Sequence, residues 1–232
     1  MSNLYIVATP IGNLEDITLR ALRILKEVDF VLCEDTRVTK KLLDKYEIKT
    51  PTISYHTFSG QSKTDKIFTL LQQGKNLALV SDAGTPTISD PGFQLVSEIR
   101  EKLKNEIKII PIPGPSALIT ALSISGLVAD QFLFLGFLPH KKGKQTLLKE
   151  VLSSGRTVVF YESPHRVLKT LEFLQKQLGD EKQAKIKKIV VARELTKIYE
   201  EIVSGSITEI INFFSQFPAK IKGEFVFVIQ GK

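Results

Sequence analysis

The sequence predicts an α/β fold built as two tandem α/β domains, residues 1–126 and 127–232. Three observations predict it. Strand-like apolar runs alternate with helical patterns almost throughout, which favours largely parallel pairing. Several of those runs end in loops dense in Gly, Pro, Ser and Thr, where open α/β sheets place their ligands. After the segment 117–125 the alternation starts again, so two domains joined near residues 126–131 fit better than one.

The first domain opens with a strand at residues 4–8. The helix after it carries Leu14, Ile17, Ala21, Leu25 and Val28 at helical spacing, and Asn13 with Asp16 reads as a reciprocal cap at its start. A strand at 30–33 follows, then a helix opening at Asp35. A short run at 52–55 precedes Leu77-Ala78-Leu79-Val80, an apolar run that reads as a buried parallel strand. That strand feeds a helix through Asp90-Pro91, an N-cap followed by proline at the first helical position. A strand at 107–112 and a helix at 117–125 complete the domain. In the second domain the strand candidates lie at 132–135, 157–161, 188–192, 199–203 and 224–229, with a basic stretch at 139–144.

Composition narrows the function classes. The chain has 232 residues, 43% of them hydrophobic and 25% charged, as in globular proteins with real cores. One cysteine, Cys33, excludes an internal disulfide and fits a reducing compartment. His56, His140 and His165 lie far apart with no cysteine beside them, so no metal site is expected. No run reaches membrane-span length and no signal peptide is legible, which makes the cytoplasm the expected address. The net charge of +7 at pH 7 fits a nucleic-acid partner.

The loop Ser81-Asp82-Ala83-Gly84-Thr85-Pro86-Thr87-Ile88-Ser89-Asp90-Pro91-Gly92 is the most informative segment. Pro113-Gly114-Pro115-Ser116-Ala117 and Glu162-Ser163-Pro164-His165-Arg166 repeat its device, a strand running into a proline-primed helix start with free backbone N–H groups. Were the three to converge on one sheet edge, they would make a cleft. Other chemistries are disfavoured. Ala8-Thr9-Pro10-Ile11-Gly12-Asn13 lacks the glycines of a dinucleotide fingerprint, no phosphate-binding G-x-x-x-x-G-K-[ST] exists, and neither Ser81 nor Ser163 has a hydrolase nucleophile's setting. Charged residues gather at strand ends: Glu34, Asp35 and Arg37, then Glu162 and Arg166, then Arg193 and Glu194. Such acid–Arg sets suit the positioning of an acidic polymer beside a general base.

Taken together, these segments resemble the tetrapyrrole methylase superfamily of S-adenosylmethionine enzymes. Within it they are most similar to the bacterial branch that methylates a cytidine 2′-hydroxyl in 16S rRNA. The carrying motifs run nearly end to end: residues 4–14, Cys33-Glu34-Asp35-Thr36-Arg37, 81–92, 113–117, Phe137-Leu138-Pro139, 161–166, and Ala192-Arg193-Glu194-Leu195-Thr196-Lys197. One departure is that many members continue into a small C-terminal helical segment, whereas this sequence stops at Lys232.

The resemblance implies a methyl donor, S-adenosylmethionine, in the cleft between two α/β domains, a homodimer, and 16S rRNA in the small ribosomal subunit as partner. By motif, Pro10, Asp82, Gly84, Thr85, Ser116, Ala117 and Tyr161 would line the donor site. Transfer to a ribose hydroxyl needs alignment and a proton acceptor. Glu34, Asp35 and Glu194 are the candidate acceptors. Arg37, Arg166 and Arg193 are candidate phosphate clamps, and Lys141, Lys142 and Lys144 a candidate RNA-facing patch. Two alternatives stay open: the same fold acting on a non-RNA acceptor, and a non-catalytic RNA-binding factor.

Overall fold

The computed structural model describes residues 1–56, 60–139, 143–178 and 186–231. The chain divides into two compact units, Met1–Ser116 and Ala117–Lys232.

The first unit holds an all-parallel sheet in the order β3-β2-β4-β1-β5. Its strands are β1 (Ser2–Val7), β2 (Phe30–Cys33), β3 (Thr52–Ser54), β4 (Leu77–Leu79) and β5 (Ile107–Ile112). Helices α1 (Leu19–Glu27) and α2 (Thr36–Lys45) cover one face, and α3 (Gln61–Gln72) and α4 (Phe93–Lys102) the other. Strand alternation divides the side chains accordingly: Tyr5 and Val7 pack among α1 and α2, Leu4 and Ile6 among α3 and α4. The connection leaving β1 runs toward β2, while the one leaving β4 runs toward β5. Right-handed crossovers in opposite directions put their helices on opposite faces, and the loops part between β1 and β4. A ligand crevice belongs at that switch point.

Two local expectations change. Asn13 accepts the Glu15 N–H and caps only a 3₁₀ turn at Leu14–Asp16, while α1 itself starts behind the Thr18 cap. All the same, Leu14, Ile17, Ala21, Leu25 and Val28 reach one core cluster. Asp90-Pro91 does not start α4 either. The N-cap residue is Gly92, at φ 113°, and Phe93 is the first helical residue.

The second unit departs from the expected parallel pairing. Its sheet, ordered β6-β7-β10-β8-β9, pairs only β6 (Phe132–Phe137) and β7 (Thr157–Glu162) in parallel. β10 (Phe225–Gly231) runs antiparallel to β7 and to β8 (Ile186–Arg193), and β9 (Glu201–Gly205) antiparallel to β8. The β8–β9 link is too short for a crossover helix, so antiparallel pairing is the only geometry open to it. Helices α6 (Lys144–Ser153), α7 (Val167–Leu178) and α8 (Ile207–Gln216) pack on one face around the stacked rings of Phe160 and Phe227, 4.9 Å apart. Helix α5 (Ala117–Ser125) packs against β10 and β7 and groups with this unit. The unit boundary therefore falls ahead of α5, whereas the sequence reading placed it after.

Candidate active site

At the carboxyl edge of the parallel sheet, four loops are laced together through main-chain and small polar groups. Thr9 and Gly84 exchange both main-chain hydrogen bonds, at 2.9 and 3.0 Å, bridging the loops after β1 and β4 at the switch point. The Thr9 hydroxyl donates to the Ser81 carbonyl at 3.1 Å, and the Thr85 hydroxyl to the Pro115 carbonyl at 3.2 Å. The Asp82 carboxylate accepts the Asp35 N–H at 3.1 Å, drawing in the loop after β2.

The backbone here is strained. Gly84 sits at φ 81°, and two non-glycine residues, Thr87 at φ 75° and Ser89 at φ 61°, also occupy the left-handed region. For a β-branched residue such as Thr87 this costs about 1–3 kcal/mol and persists only where its surroundings impose it. A Cβ on Gly114 would stand 3.0 Å from the Ala8 Cβ, so a side chain there would push the loops after β1 and β5 apart by a few tenths of an ångström.

The carboxylates of the edge are not equivalent. Asp35 caps α2 and holds Arg37 through Nε at 3.0 Å and Nη2 at 2.7 Å. Those side-chain and main-chain bonds from Arg37 pull its pKa down to about 2. Glu34 moves the other way, raised by burial and by repulsion from Asp82 and Asp35, against the attraction of His56. Asp90, released from capping, is pushed up to about 6. Burial is the main cause; Glu34 and Asp82 add to it, and a hydrogen bond from Ser81 opposes it.

Glu34 borders two open pockets. One, of about 550 Å³, is lined by Asp35, Arg37, Ser54, His56 and Asp82. The other, of about 500 Å³, is lined by Tyr55, Thr87, Ser89, Asp90 and the exposed ring of Phe93.

Residues 3–211 match the model of the Tetrapyrrole (Corrin/Porphyrin) Methylases. The chain belongs to that family. It is 47% identical, over 99% of its length and 79% of the relative's, to a Pasteurella multocida protein named Ribosomal RNA small subunit methyltransferase I. A Thermotoga maritima protein of that name is 45% identical over the whole of both chains, and one from Synechocystis 48% over 100% of this chain and 80% of its own. Among solved structures, cobalt precorrin-4 methyltransferase CbiF aligns over 97% of this chain and 94% of its own, with TM-score 0.67 and 16% identity. The uroporphyrin-III-C-methyltransferase of Thermus thermophilus aligns over 98% and 94%, with TM-score 0.61 and 17% identity. These two share the methylase fold.

The methylase motifs fall as follows. Pro10, Asp82, Gly84, Thr85 and Ser116 lie in the first unit on the laced loops after β1, β4 and β5. Ala117 opens α5 in the second unit, and Tyr161 lies on β7 with its ring 5.2 Å from Phe134 and 5.1 Å from Phe137. The three proline-primed loops thus leave two different sheets, not one. Of the three, only Pro164 enters a helical first turn as expected, and that turn is 3₁₀.

Three of the basic residues turn inward, contrary to the expectation that they face RNA. Lys144 donates to Glu162 at 3.0 Å and to Thr170 at 2.7 Å. Arg166 meets the other oxygen of buried Glu162 at 2.5 Å and donates to the Leu138 and Pro139 carbonyls. Arg193 is buried and donates to the carbonyls of Lys222 and Tyr199. In each case a strand end or helix start leaves carbonyls or a carboxylate inside, and the cation satisfies them. Lys141 and Lys142 lie outside the described residues. Glu194 is engaged as well. Burial pushes its pKa up, but Lys197 at 2.9 Å and the Glu224 N–H outweigh it and hold the carboxyl below its ordinary range.

Sequence reasoning missed Asp90 and His56 as members of the edge. The signal for Asp90 was present, since it sits in the singled-out loop, but an Asp-Pro pair reads first as a helix cap. His56 carried no local signal. Among the described residues, no three His, Cys, Asp or Glu side chains are grouped to hold a metal, and no helix is long and apolar enough to cross a membrane.

Proposed function

We propose that this chain transfers a methyl group from S-adenosylmethionine to the 2′-hydroxyl of a cytidine in 16S rRNA of the small ribosomal subunit. The laced carboxyl edge of the parallel sheet carries the reading, in a chain 47% identical to a protein named for small-subunit rRNA methylation. A homodimer working in the cytoplasm belongs to the same proposal.

The edge suits the donor chemically. It offers main-chain groups fixed by the Thr9–Gly84 bridge, a side-chain-free approach at Gly114, and the exposed Asp82 carboxylate for a polar ligand. Pro10, Asp82, Gly84, Thr85 and Ser116 would hold it. When bound, S-adenosylmethionine supplies an electrophilic methyl on a sulfonium centre.

The protein must then orient the ribose hydroxyl and accept its proton. Of the three candidate carboxylates, Asp35 and Glu194 are poor bases, because their cationic partners hold the ionised form. Glu34, raised by burial and neighbouring carboxylates, is the proton acceptor we favour. Arg37, with 87% of its side chain exposed, is the phosphate contact left by the inward turn of Arg166 and Arg193.

The test uses labelled S-adenosylmethionine and small subunits from cells lacking the enzyme, followed by alkaline digestion of the rRNA. A ribose 2′-O-methyl blocks cleavage at its own phosphate, so label in alkali-resistant dinucleotides is expected. Label in single nucleotides would move the chemistry to a base. Absence of incorporation, with donor binding intact, would favour a non-RNA acceptor.

A further inference from the structure

The second unit carries a pocket that methyl transfer at the parallel sheet leaves unused. It measures about 600 Å³ and is lined by Glu194, Ile198, Tyr199 and Glu200 of the loop after β8, and by Lys220 and Lys222 of the turn before β10. Buried Arg193 ties the two walls together, donating to the Tyr199 carbonyl at 3.0 Å and the Lys222 carbonyl at 2.9 Å. Glu194 adds a second tie. Its N–H donates to the Glu224 carbonyl, and its carboxylate accepts the Glu224 N–H at 3.0 Å. Gly223, at φ 86°, makes room for that carboxylate, since a Cβ there would collide with it. Two further residues of the loop, Glu194 at φ 50° and Thr196 at φ 67°, occupy the left-handed region, and strain of this kind gathers at ligand sites.

This tied and strained loop presents its apolar residues to solvent. Ile198 is 95% exposed and Tyr199 71%, and the Tyr199 ring makes no ring or cation contact among the described residues. The charges around it are committed, with one exception. Arg193 serves carbonyls, Glu194 holds Lys197, Glu201 pairs with Lys220, and Glu200 accepts the Thr196 N–H at 2.6 Å. Lys222 is exposed and has no acidic partner among the described residues. A flat open ring and one uncompensated cation on a rigid rim match the two faces of a single-stranded nucleotide, its base and its phosphate. We propose that this pocket takes an unpaired nucleotide of the RNA substrate, its base stacked on Tyr199 beside Ile198 and its phosphate on Lys222. The proposal rests on the reading of rRNA as the substrate. Stacking tolerates any base, so the contact positions the strand and does not choose the cytidine.

The test measures binding of small subunits from cells lacking the enzyme, across a salt series, for the wild type, Tyr199→Ala and Lys222→Gln. Tyr199→Ala should weaken binding roughly tenfold with the salt slope unchanged, because stacking releases no counterions. Lys222→Gln should flatten the slope of log K by about 0.7, the share of one single-strand phosphate. Melting temperature and S-adenosylmethionine affinity should stay at wild-type values in both, which separates a lost RNA contact from a damaged fold. Tyr199→Trp keeps the platform and gives the chain its one tryptophan, since it has none of its own. That fluorescence should be quenched by subunits and by a short oligocytidylate. Wild-type affinity in Tyr199→Ala overturns the proposal, as does fluorescence that the oligonucleotide leaves unmoved. Quenching by subunits alone would assign the ring to a protein of the subunit and overturns it too. A wild type that binds no subunit overturns the rRNA reading itself.

Discussion

The main chains of Thr9 and Gly84 hydrogen-bond to each other in both directions, although they belong to loops leaving neighbouring parallel strands. At a switch point such loops diverge to opposite faces of the sheet. The bridge reverses that tendency for one residue on each side. What results is a rim whose shape is set by backbone, with Pro10 on one side and the Asp82–Thr85 turn on the other.

Gly84 holds its side of the bridge at φ 81°, with room for a methyl group, since a Cβ would meet the Ile11 Cγ2 at 3.5 Å and the Pro115 carbonyl oxygen at 4.0 Å, both ordinary contacts. The cost of Gly84→Ala is therefore conformational, about 1–2 kcal/mol. Urea denaturation should show that loss, with weaker donor binding beside it. A variant as stable as the parent would mean that the turn relaxes freely.

Asp90 makes stability depend on pH in the direction opposite to a salt-bridged carboxylate. Its folded pKa of about 6 exceeds the unfolded 3.8, so the native state binds the extra proton between those values. Its effect on stability is constant below pH 4, and stability declines as the pH rises through 6. Asp90→Asn removes the decline. At pH 8 it should be the more stable protein by on the order of 1–2 kcal/mol, the full shift being discounted for partial exposure, with the gap closing toward pH 4. Parallel denaturation curves at pH 4, 6 and 8 check it; a constant gap would point to some other cause.

Glu162 is buried and takes four partners: Lys144, Arg166, the Thr170 hydroxyl and the Ser163 N–H. Glu162→Gln leaves two largely buried cations facing a neutral amide. Breaking a buried ion pair on one side costs about 3 kcal/mol or more, and the second unit should lose that stability. Chemical denaturation followed by circular dichroism measures it. A cost below about 1 kcal/mol would show that water reaches the cluster.

Arg37 and Arg193 should separate into two behaviours. Arg37→Ala removes an exposed cation at the site edge and should weaken rRNA binding, flattening the salt dependence of log K by about 0.7–0.9. Arg193→Ala strips two carbonyls of their donor and should lower the melting temperature with the salt slope unchanged. Filter binding across a salt series, beside thermal melts, tells them apart. Equal slopes in all three proteins would remove Arg37 from the RNA interface.

Much of this protein is legible from sequence because it is locally encoded. Apolar runs at 30–33 and 107–112 become strands, the five residues from Leu14 to Val28 reach one core cluster, and Asp35 caps α2, since side-chain period and capping act within a few residues. The family was also readable, because its motifs are contiguous. What the tertiary structure alone decided was pairing and charge. The order β3-β2-β4-β1-β5 and the antiparallel pairing of β10 with β7 and β8 depend on which distant runs meet, which no local pattern states. Lys144, Arg166 and Arg193 looked like free cations until Glu162 and buried carbonyls appeared beside them. Asp90 looked like a cap until Gly92 took that place and left it lining a pocket with Glu34 and Tyr55. A side chain's type is written in the sequence, but its solvent and its neighbours, which set its charge and its role, exist only after folding.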